Sequence, residues 1–312
     1  MLYTLKRILA HADRHGYAVG AFNINNLEIL QSIIETATEE RSPVIIQTSE
    51  GAVGYAGMDY LLAMMRTAAA SPVPVALHLD HGKDLKIIRQ AVRSGYTSVM
   101  IDASTLPYAE NVAQTRKVVG WAKKAGVSVE AEIGAISGVE DLVSVSEKEA
   151  CFTDPGEARR FVRDTRCDAL AISIGTAHGP NKSRGRPRLD LDRLKRIDSL
   201  VRVPLVLHGA SGIDPETVKL VRRNCRRVGD CDRLRKAIGI PDDAIRQAIR
   251  RGIRKINIDS DLRLAFTAGL RRALMEETGT IDPRKLMTPS KRLMKDVVRK
   301  KMRLFGSRNQ AR

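Results

Sequence analysis

The sequence predicts an α/β fold, a closed (β/α)8 TIM barrel with extra C-terminal helices. Two observations support this prediction: eight short apolar runs rich in β-branched residues recur along the 312 residues, and helix-like stretches separate them. Such alternation is typical of a parallel sheet covered by helices, and eight units favour a closed barrel. An open doubly wound sheet is the alternative, but the first strand is followed by GAFNINN and not by G-x-G-x-x-G.

The predicted strands are apolar runs that end in polar residues. In order they are AVGAFN (18–23), VIIQTS (44–49), VALHLDH (75–81), SVMID (98–102), SVEAEIG (128–134), ALAISIG (169–175), PLVLHG (204–209) and RKINIDS (254–260). Helices are predicted at 27–40, 84–95 and 109–126, and two more, at about 261–277 and 289–304, are expected to pack outside the barrel. Because no Pro-rich or low-complexity linker divides the chain, we expect residues 1–312 to form a single domain.

The composition is that of a folded and strongly basic protein. Hydrophobic residues make up 43% of the chain, and the formal net charge is +17. A basic surface can bind polynucleotides, or it can solvate the protein and attract anionic substrates. The basic residues alternate with Leu, Ile and Val at helical spacing and lack the stacking aromatics of single-strand binders, which disfavours nucleic acid as a partner.

Cysteine usage and the apolar runs bear on the cellular compartment. Four cysteines in a chain of this length do not make a disulfide framework, and Cys225 and Cys231 lack the second pair of a zinc knuckle. The first twenty residues lack the apolar core of a secretory signal, and no run reaches transmembrane length. We therefore expect a cytoplasmic protein with no membrane partner.

Polar residues gather at the carboxyl ends of the predicted strands, where barrels of this class have their active sites. A single acid in such a place is more often a helix N-cap. A whole set at one rim favours a functional site. The set comprises Asn23, Ser49, Asp80, His81, Asp102, Glu132, His208, Asn257 and Asp259.

Three histidines follow or end different strands and are candidate metal ligands: His81, His178 and His208. They are far apart in the sequence, so the ligand set can assemble only if the barrel closes. Imidazole suits zinc, and three protein ligands that leave one position open are typical of a catalytic site. His78, earlier on the third strand, is expected to be a buried core residue.

Glycine-containing loops accompany two of these histidines, in GTAHG and LHGASG, and NIDSD opens a helix after the eighth strand. Glycine lets backbone N–H groups approach an anion, and the loops after strands seven and eight often hold phosphate in such barrels. Tight turns and helix caps would each explain part of this pattern, but the coincidence favours a phosphate site. The polar segment 132–155 is predicted to be a lid that carries Glu140 and Asp141 over the metal, with a solvated loop as the alternative.

Six sequence blocks, taken together, resemble the class II, zinc-dependent fructose-bisphosphate aldolases: GAFNINNLE, ALHLDHG, VEAEIG, GTAHG, LHGASG and INIDSD. The resemblance covers nearly the whole chain and extends to IDPRKLM (281–287) and the closing RLFGS. It implies a (β/α)8 barrel and an aldehyde-lyase. Such an enzyme would reversibly cleave fructose 1,6-bisphosphate into dihydroxyacetone phosphate and glyceraldehyde 3-phosphate through a zinc-stabilised enediolate.

The resemblance also implies roles for individual residues. Asp80 would move the proton of the hydroxyl at the cleaved bond, Glu140 would exchange the proton on the dihydroxyacetone phosphate carbon, and Asn257 would steady the enediolate. The implied ligands are His81, His178 and His208 for zinc, with Asp102 and Glu132 for a second divalent ion. The implied substrate-binding residues are Asn23, Ser49, Gly179, Lys182, Gly209, Ser211, Asp259, Ser260 and Arg284. A monovalent cation near the phosphate and a homodimer or homotetramer, with Arg284 reaching a partner's site, are further implications.

The sequence alone leaves several alternatives to this function open. Tagatose 1,6-bisphosphate aldolases share most of the blocks, and cobalt or iron could replace zinc. A Schiff-base aldolase would need a buried lysine on a strand. The sixth strand has none, and Lys255 begins the eighth strand, towards the opposite end of the barrel from the site. A basic nucleic-acid-binding protein on a barrel scaffold is the non-enzymatic alternative.

Overall fold

The computed structural model describes residues 2–140, 143–145, 151–178, 188–223, 239–276 and 278–311. Its strands are β1 (Val19–Asn23), β2 (Val44–Ser49), β3 (Val75–Gly82), β4 (Ser98–Ile101), β5 (Ser128–Ile133), β6 (Ser137–Glu140), β7 (Val143–Val145), β8 (Ala169–Ile172), β9 (Ala177–His178), β10 (Leu205–Leu207) and β11 (Ile253–Ile258). Its helices are α1 (Leu5–His15), α2 (Leu27–Glu39), α3 (Glu50–Ala56), α4 (Met58–Ala68), α5 (Leu85–Ser94), α6 (Tyr108–Ala125), α7 (Pro155–Thr165), α8 (Leu191–Leu200), α9 (Pro215–Arg223), α10 (Asp242–Arg250), α11 (Ser260–Glu276) and α12 (Pro283–Leu304).

Parallel strands close into a barrel in the order β1-β11-β10-β8-β5-β4-β3-β2. Each predicted strand overlaps one of these, so the predicted TIM-barrel class is confirmed. β6, β7 and β9 form a separate three-stranded sheet in the order β7-β6-β9, in which Gly138 lies opposite His178. In its described part the predicted lid therefore includes β6 and β7, whereas Asp141 lies outside the described residues.

Side chains of the barrel strands alternate between the interior and the surrounding helices, as a closed sheet requires. The interior cluster includes several small or unbranched strand residues, among them Ala21, Ala76, Met100, Ala169 and Ala171. α1 contributes Leu5, Ile8 and Leu9 to the same cluster and so closes the amino-terminal end of the barrel. The small interior residues leave space for polar side chains nearer the carboxyl end.

The last helix begins earlier than the predicted range of 289–304. It starts at Pro283, after Asp282, whose carboxylate accepts a hydrogen bond from the Arg284 backbone N–H at 2.9 Å. Aspartate followed by proline is a strong helix start. Pro289 lies inside the helix, next to the point where Gly269 of α11 approaches the backbone so closely that a Cβ would collide with it. The predicted start was therefore wrong, because Pro289 does not break the helix.

The described part of the chain contains no helix with both the length and the apolarity that crossing a bilayer would require. Cys151 and Cys167 carry free thiols, the first exposed and the second buried. Cys225 and Cys231 lie outside the described residues.

Ion pairs join α12 to the end of α2. Glu39 accepts hydrogen bonds from Lys295 and from Arg299, each at 2.7 Å, and Glu40 accepts one from Arg303 at 2.7 Å. The bond from Lys295, with that from Arg299, lowers the pKa of Glu39, and the bond from Arg303 lowers the pKa of Glu40. These carboxylates therefore link the stability of the contact to pH.

The double variant Glu39→Gln/Glu40→Gln should show a weaker dependence of stability on acid pH than the wild type. Both folded pKa values lie below the unfolded glutamate value of about 4.3. The stabilisation is therefore present above that pH and is lost as the pH falls through the lowered folded values. Urea unfolding in a pH series from neutral into this acid range measures the effect. If the free energy of unfolding falls equally with pH in both proteins, the proposed link between these carboxylates and stability is contradicted.

Candidate active site and metal centre

The end of β3 has an unusual backbone that directs two consecutive side chains into the mouth of the barrel. The pairing register with β4 shifts between Leu79 and Gly82, and His81 has a φ of 46°, a value that non-glycine residues rarely adopt. A Cβ at Gly82 would lie 2.6 Å from the carbonyl oxygen of Met100, so glycine is required there. Because a regular strand alternates its side chains, this irregularity lets Asp80 and His81 serve the same site.

The rings of His81 and His208 face each other across the mouth. Nε2 of His81 lies 2.8 Å from Nδ1 of His208, and the ring planes are inclined at 73°. The other nitrogens bind carboxylates: His81 Nδ1 lies 2.9 Å from Asp102, and His208 Nε2 lies 2.7 Å from Glu130. Imidazoles oriented by carboxylates, with their remaining nitrogens converging on one point, are typical of a metal centre.

A second group of candidate ligands adjoins the first. Ligand atoms of Asp80, His81 and His208 lie within 4.8 Å of one another, as do those of His81, Asp102 and Glu132. One carboxylate oxygen of Glu132 is buried without a hydrogen-bond partner among the described residues. Burial, with the nearby charge of Asp102, raises the pKa of Glu132 to about 8. This set of imidazole and carboxylate donors fits a divalent ion such as zinc.

The pKa of His81 also indicates that this site favours a positive charge. Burial lowers its pKa, but Asp80 and Asp102 outweigh burial and raise the pKa of His81 to about 10. Burial opposes ionisation of Asp102, yet the hydrogen bond with His81 holds the Asp102 pKa well below its usual range. The carboxylates of Asp80 and Asp102 therefore favour a positive charge at the end of β3.

Asp80 is held by three side-chain amides. Its Oδ2 accepts hydrogen bonds from Asn23 Nδ2 and Gln47 Nε2, both at 3.0 Å, and its Oδ1 accepts one from Asn257 Nδ2 at 2.9 Å. Only 4% of Asp80 is exposed. Since an amide N–H must donate, both carboxylate oxygens act as acceptors. Asn257 Nδ2 also lies 3.0 Å from His208 Nδ1, so one amide joins the acid to the histidine pair.

Gln47 is a site residue that the sequence reasoning missed. It is fully buried, and Nε2 also donates to Asn23 Oδ1 at 2.7 Å, which fixes the amide that in turn binds Asp80. The signal was present in VIIQTS, where glutamine interrupts an apolar run. Its partners lie on β1 and β3, so the strand register was needed to identify them.

The loop after β10 approaches β9 closely. Gly209 has a φ of 60°, and a Cβ there would lie 2.7 Å from the backbone of Ala177. Only glycine satisfies both conditions. The end of the strand that carries His208 is thereby brought against the strand that ends at His178, although the side chain of His178 lies outside the described part of the structure.

Several predicted substrate-binding residues have structural contacts of their own. Ser49 caps α3 by accepting a hydrogen bond from the Ala52 backbone N–H at 3.1 Å. Asp259 pairs with Arg263 at 2.7 Å, and Ser260 begins α11. Like Ser211, these serine and aspartate side chains are buried at the carboxyl end of the barrel. Helix capping and substrate binding are compatible at these positions.

The described structure does not place the remaining predicted site residues at the carboxyl ends of the barrel strands. Arg284 lies in the first turn of α12 with 89% of its side chain exposed, paired with Asp282 at 2.8 Å. Glu140 ends β6, but its side chain lies outside the described part, as do the whole of Gly179 and Lys182.

Lys255 is a buried strand lysine but not a candidate Schiff-base nucleophile. It is fully buried, lies two residues before Asn257 on β11, and pairs with Glu130 at 2.8 Å. Lys255 is the third residue of β11, not its first as predicted from the sequence, and its ion pair with Glu130 below the strand ends disfavours attack on a substrate carbonyl at the rim. His78 is also fully buried and lies 2.8 Å from Ser98 Oγ, which confirms its predicted core position.

Comparison with known proteins decides the family of this barrel. The sequence model described as fructose-bisphosphate aldolase class-II matches residues 3–310. The chain belongs to the class-II fructose-bisphosphate aldolase family. A fructose-bisphosphate aldolase of Helicobacter pylori is 45% identical over 311 residues, 99% of each chain. One of Thermus caldophilus is 47% identical over 307 residues, 98% of this chain and 99% of the relative.

Solved structures agree with this assignment. The crystal structure of the YdjI aldolase from Escherichia coli K12 has a TM-score of 0.78 and 32% identity to this chain, and covers 100% of both. The predicted class, an aldehyde-lyase of the class-II fructose-bisphosphate aldolase type, is confirmed. Members of this family are metal-dependent, and the described residues include groups able to bind a metal. The identity of the metal stays a prediction.

Proposed function

We propose that this aldolase cleaves fructose 1,6-bisphosphate reversibly into dihydroxyacetone phosphate and glyceraldehyde 3-phosphate, with zinc bound by His81, His178 and His208. The observation that carries the proposal is the 2.8 Å approach of His81 Nε2 to His208 Nδ1 beside the amide-bound carboxylate of Asp80. A divalent ion there would act as a Lewis acid for the negative charge that develops next to the cleaved bond.

The chain's own residues would move the protons. Asp80 would accept the proton of the hydroxyl at the cleaved bond, and its three amide contacts would hold one carboxylate orientation during the transfer. Asn257 would donate its amide N–H to the oxygen that gains charge. Glu140, at the end of β6, would exchange the proton on the dihydroxyacetone phosphate carbon, and the pairing of β6 with β9 supports its approach to His178.

Phosphate binding is proposed for residues at the ends of β9, β10 and β11 and in the following loops. The proposed contacts on this side are Gly179, Lys182, Gly209, Ser211, Asp259 and Ser260. The proposed contacts elsewhere on the substrate are Asn23, Ser49 and Arg284. Because Arg284 is exposed on the first turn of α12, we propose that it serves the site of a partner subunit in a homodimer or homotetramer.

Further ions are part of the same proposal. Asp102 and Glu132 would hold a second divalent ion, which the unpartnered Glu132 oxygen supports. A monovalent cation would accompany the phosphate. The single-domain organisation of residues 1–312 and the cytoplasmic location remain predictions from the sequence.

Removing the metal should abolish cleavage, and zinc should restore it. A coupled assay with fructose 1,6-bisphosphate and tagatose 1,6-bisphosphate, before and after treatment with EDTA, measures both points. We expect the higher kcat/KM for the fructose compound. A higher kcat/KM for tagatose 1,6-bisphosphate would overturn the proposed substrate but would leave the proposed aldol cleavage unchanged. Activity that survives EDTA but is destroyed by borohydride with substrate would overturn the metal mechanism.

A further inference from the structure

A second layer of polar side chains lies directly below the site, inside the barrel. It consists of His78, Glu130 and Lys255, each with 0% exposure. Each precedes a site residue by two positions on its strand, and the pairs are His78 with Asp80, Glu130 with Glu132, and Lys255 with Asn257. Because strand side chains alternate with period two, each lower residue faces the same interior as the upper one. We call these three residues the lower layer.

Glu130 links the lower layer to a candidate metal ligand. Its Oε1 lies 2.7 Å from His208 Nε2, and its Oε2 lies 2.8 Å from Lys255 Nζ. His78 Nε2 lies 3.6 Å from the same Oε2 and 3.5 Å from Lys255 Nζ. The Glu130 carboxylate, which extends from β5 into the interior, therefore joins the ammonium group of Lys255 on β11 to the imidazole of His208, the residue directly after β10.

Stability alone gives no reason for an ion pair at this depth. Removing two charges from water carries a large desolvation cost, and well-packed apolar residues of similar volume are often neutral or stabilising replacements. Neighbouring interior positions are occupied by Val206 and Ala169, so apolar filling suits this level of the barrel. The Glu130–Lys255 ion pair contacts His208 at Nε2, and this contact indicates what the pair does.

The contacts of His208 define which nitrogen carries its proton. Glu130 accepts at Nε2, whereas Asn257 Nδ2, a group that must donate, lies 3.0 Å from Nδ1. Nδ1 is therefore an acceptor, and its lone pair is directed to the point that His81 Nε2 also faces. A ring rotation or a change of tautomer would break both contacts.

We propose that Glu130 and Lys255 are positioning residues for the metal centre, an inference that rests on the proposed metal role of His81 and His208. Glu130 holds His208 with its proton on Nε2 and its Nδ1 lone pair available to a cation. Lys255 attracts the second oxygen of this carboxylate through an ion pair and offsets the charge that Glu130 brings into the interior. Neither residue touches substrate.

The test measures zinc affinity in Glu130→Gln, Lys255→Met and the double variant, by competition with a chromophoric chelator. Glutamine can present its N–H₂ to His208 and so oppose the required tautomer. We expect zinc binding in Glu130→Gln to weaken by roughly 10–100-fold, the usual effect of losing an outer partner of a metal-binding histidine. The visible spectrum of the Co²⁺-loaded variant should change as well, which reports on ligand geometry independently of activity.

The double variant separates positioning from stability. Since it removes both charges, it should be more stable than Lys255→Met, which leaves the buried Glu130 carboxylate without its ammonium partner, yet it should bind zinc as weakly as Glu130→Gln. The double variant also provides the zinc-affinity measurement if one of the single variants does not fold. The matched control is Glu40→Gln, which removes a carboxylate that is 5% exposed and pairs with Arg303, and it should leave zinc affinity unchanged.

Wild-type zinc affinity and an unchanged Co²⁺ spectrum in a folded Glu130→Gln protein, or in the double variant, would overturn the inference while leaving the metal centre intact. A wild-type protein that binds no divalent ion would contradict both the inference and the metal role on which it rests.

Discussion

Replacing Asp80 with asparagine should lower kcat for aldol cleavage by roughly 10²–10⁴-fold, the usual contribution of a positioned acid–base group. Asn23, Gln47 and Asn257 all donate to this side chain, so an asparagine must turn an N–H₂ group towards at least one of them. The side chain then loses both its proton-accepting oxygen and its fixed orientation. Steady-state kinetics with the zinc-loaded variant measures the loss.

The metal content of the same variant distinguishes two roles of Asp80. If it moves protons, Asp80→Asn should retain one bound zinc per site and a similar KM. If zinc is lost as well, Asp80 acts as a ligand, in keeping with its place beside His81 and His208. Asp84→Asn is the matched control, because Asp84 is an acid on the same stretch that caps α5, and it should keep the wild-type kcat. A kcat near the wild-type value in Asp80→Asn would contradict the proton-transfer role.

Replacing His208 with alanine should weaken zinc binding by more than the roughly 10–100-fold expected from loss of an outer partner. The change removes the Nδ1 that faces His81 Nε2 and also leaves the Glu130 carboxylate without its imidazole. Cleavage should fall with the bound metal, because little Lewis acid remains at the site. Zinc per chain after dialysis against a weak chelator, with activity on the same sample, measures both effects.

His15→Ala is the control for this experiment. His15 lies on the exposed side of α1, at the opposite end of the barrel, and should affect neither zinc content nor activity. Circular dichroism establishes that His208→Ala is folded. A folded His208→Ala protein that retains stoichiometric zinc after dialysis would show that His208 is not a ligand.

The barrel was predictable because strands of a parallel barrel are buried on both faces and read as continuous apolar runs. VIIQTS coincides with Val44–Ser49, and every residue of that strand is buried. ALAISIG is different, since β8 ends at Ile172 and the chain continues towards β9. An apolar run therefore locates a strand more reliably than it defines its end.

The start of α12 illustrates what local sequence cannot provide. Proline commonly breaks a helix, yet Pro289 lies inside α12. The helix passes through that residue where Gly269 of α11 lets the two backbones approach. Packing between distant segments, not local preference, decides the length of this helix.

The candidate site was predicted in part, for a similar reason. Asp80, His81 and Asn257 lie within the last three residues of their strands and could be recognised from position alone. Gln47, Glu130 and Lys255 lie inside strands, and their partners come from other strands whose register the sequence does not define. Gln47 follows an apolar run and was open to recognition, but Glu130 lies between Ser128 and Glu132 on one face of its strand and Lys255 follows Arg254, so neither of these two is an isolated polar residue.

The most direct test of the metal centre is a crystal structure of the zinc-loaded protein with data collected at the zinc absorption edge. The account predicts an anomalous peak bonded to His81 Nε2 and His208 Nδ1 at about 2.0–2.1 Å, the usual zinc–imidazole distance. An anomalous peak elsewhere, with these two rings still hydrogen-bonded to each other, would contradict it.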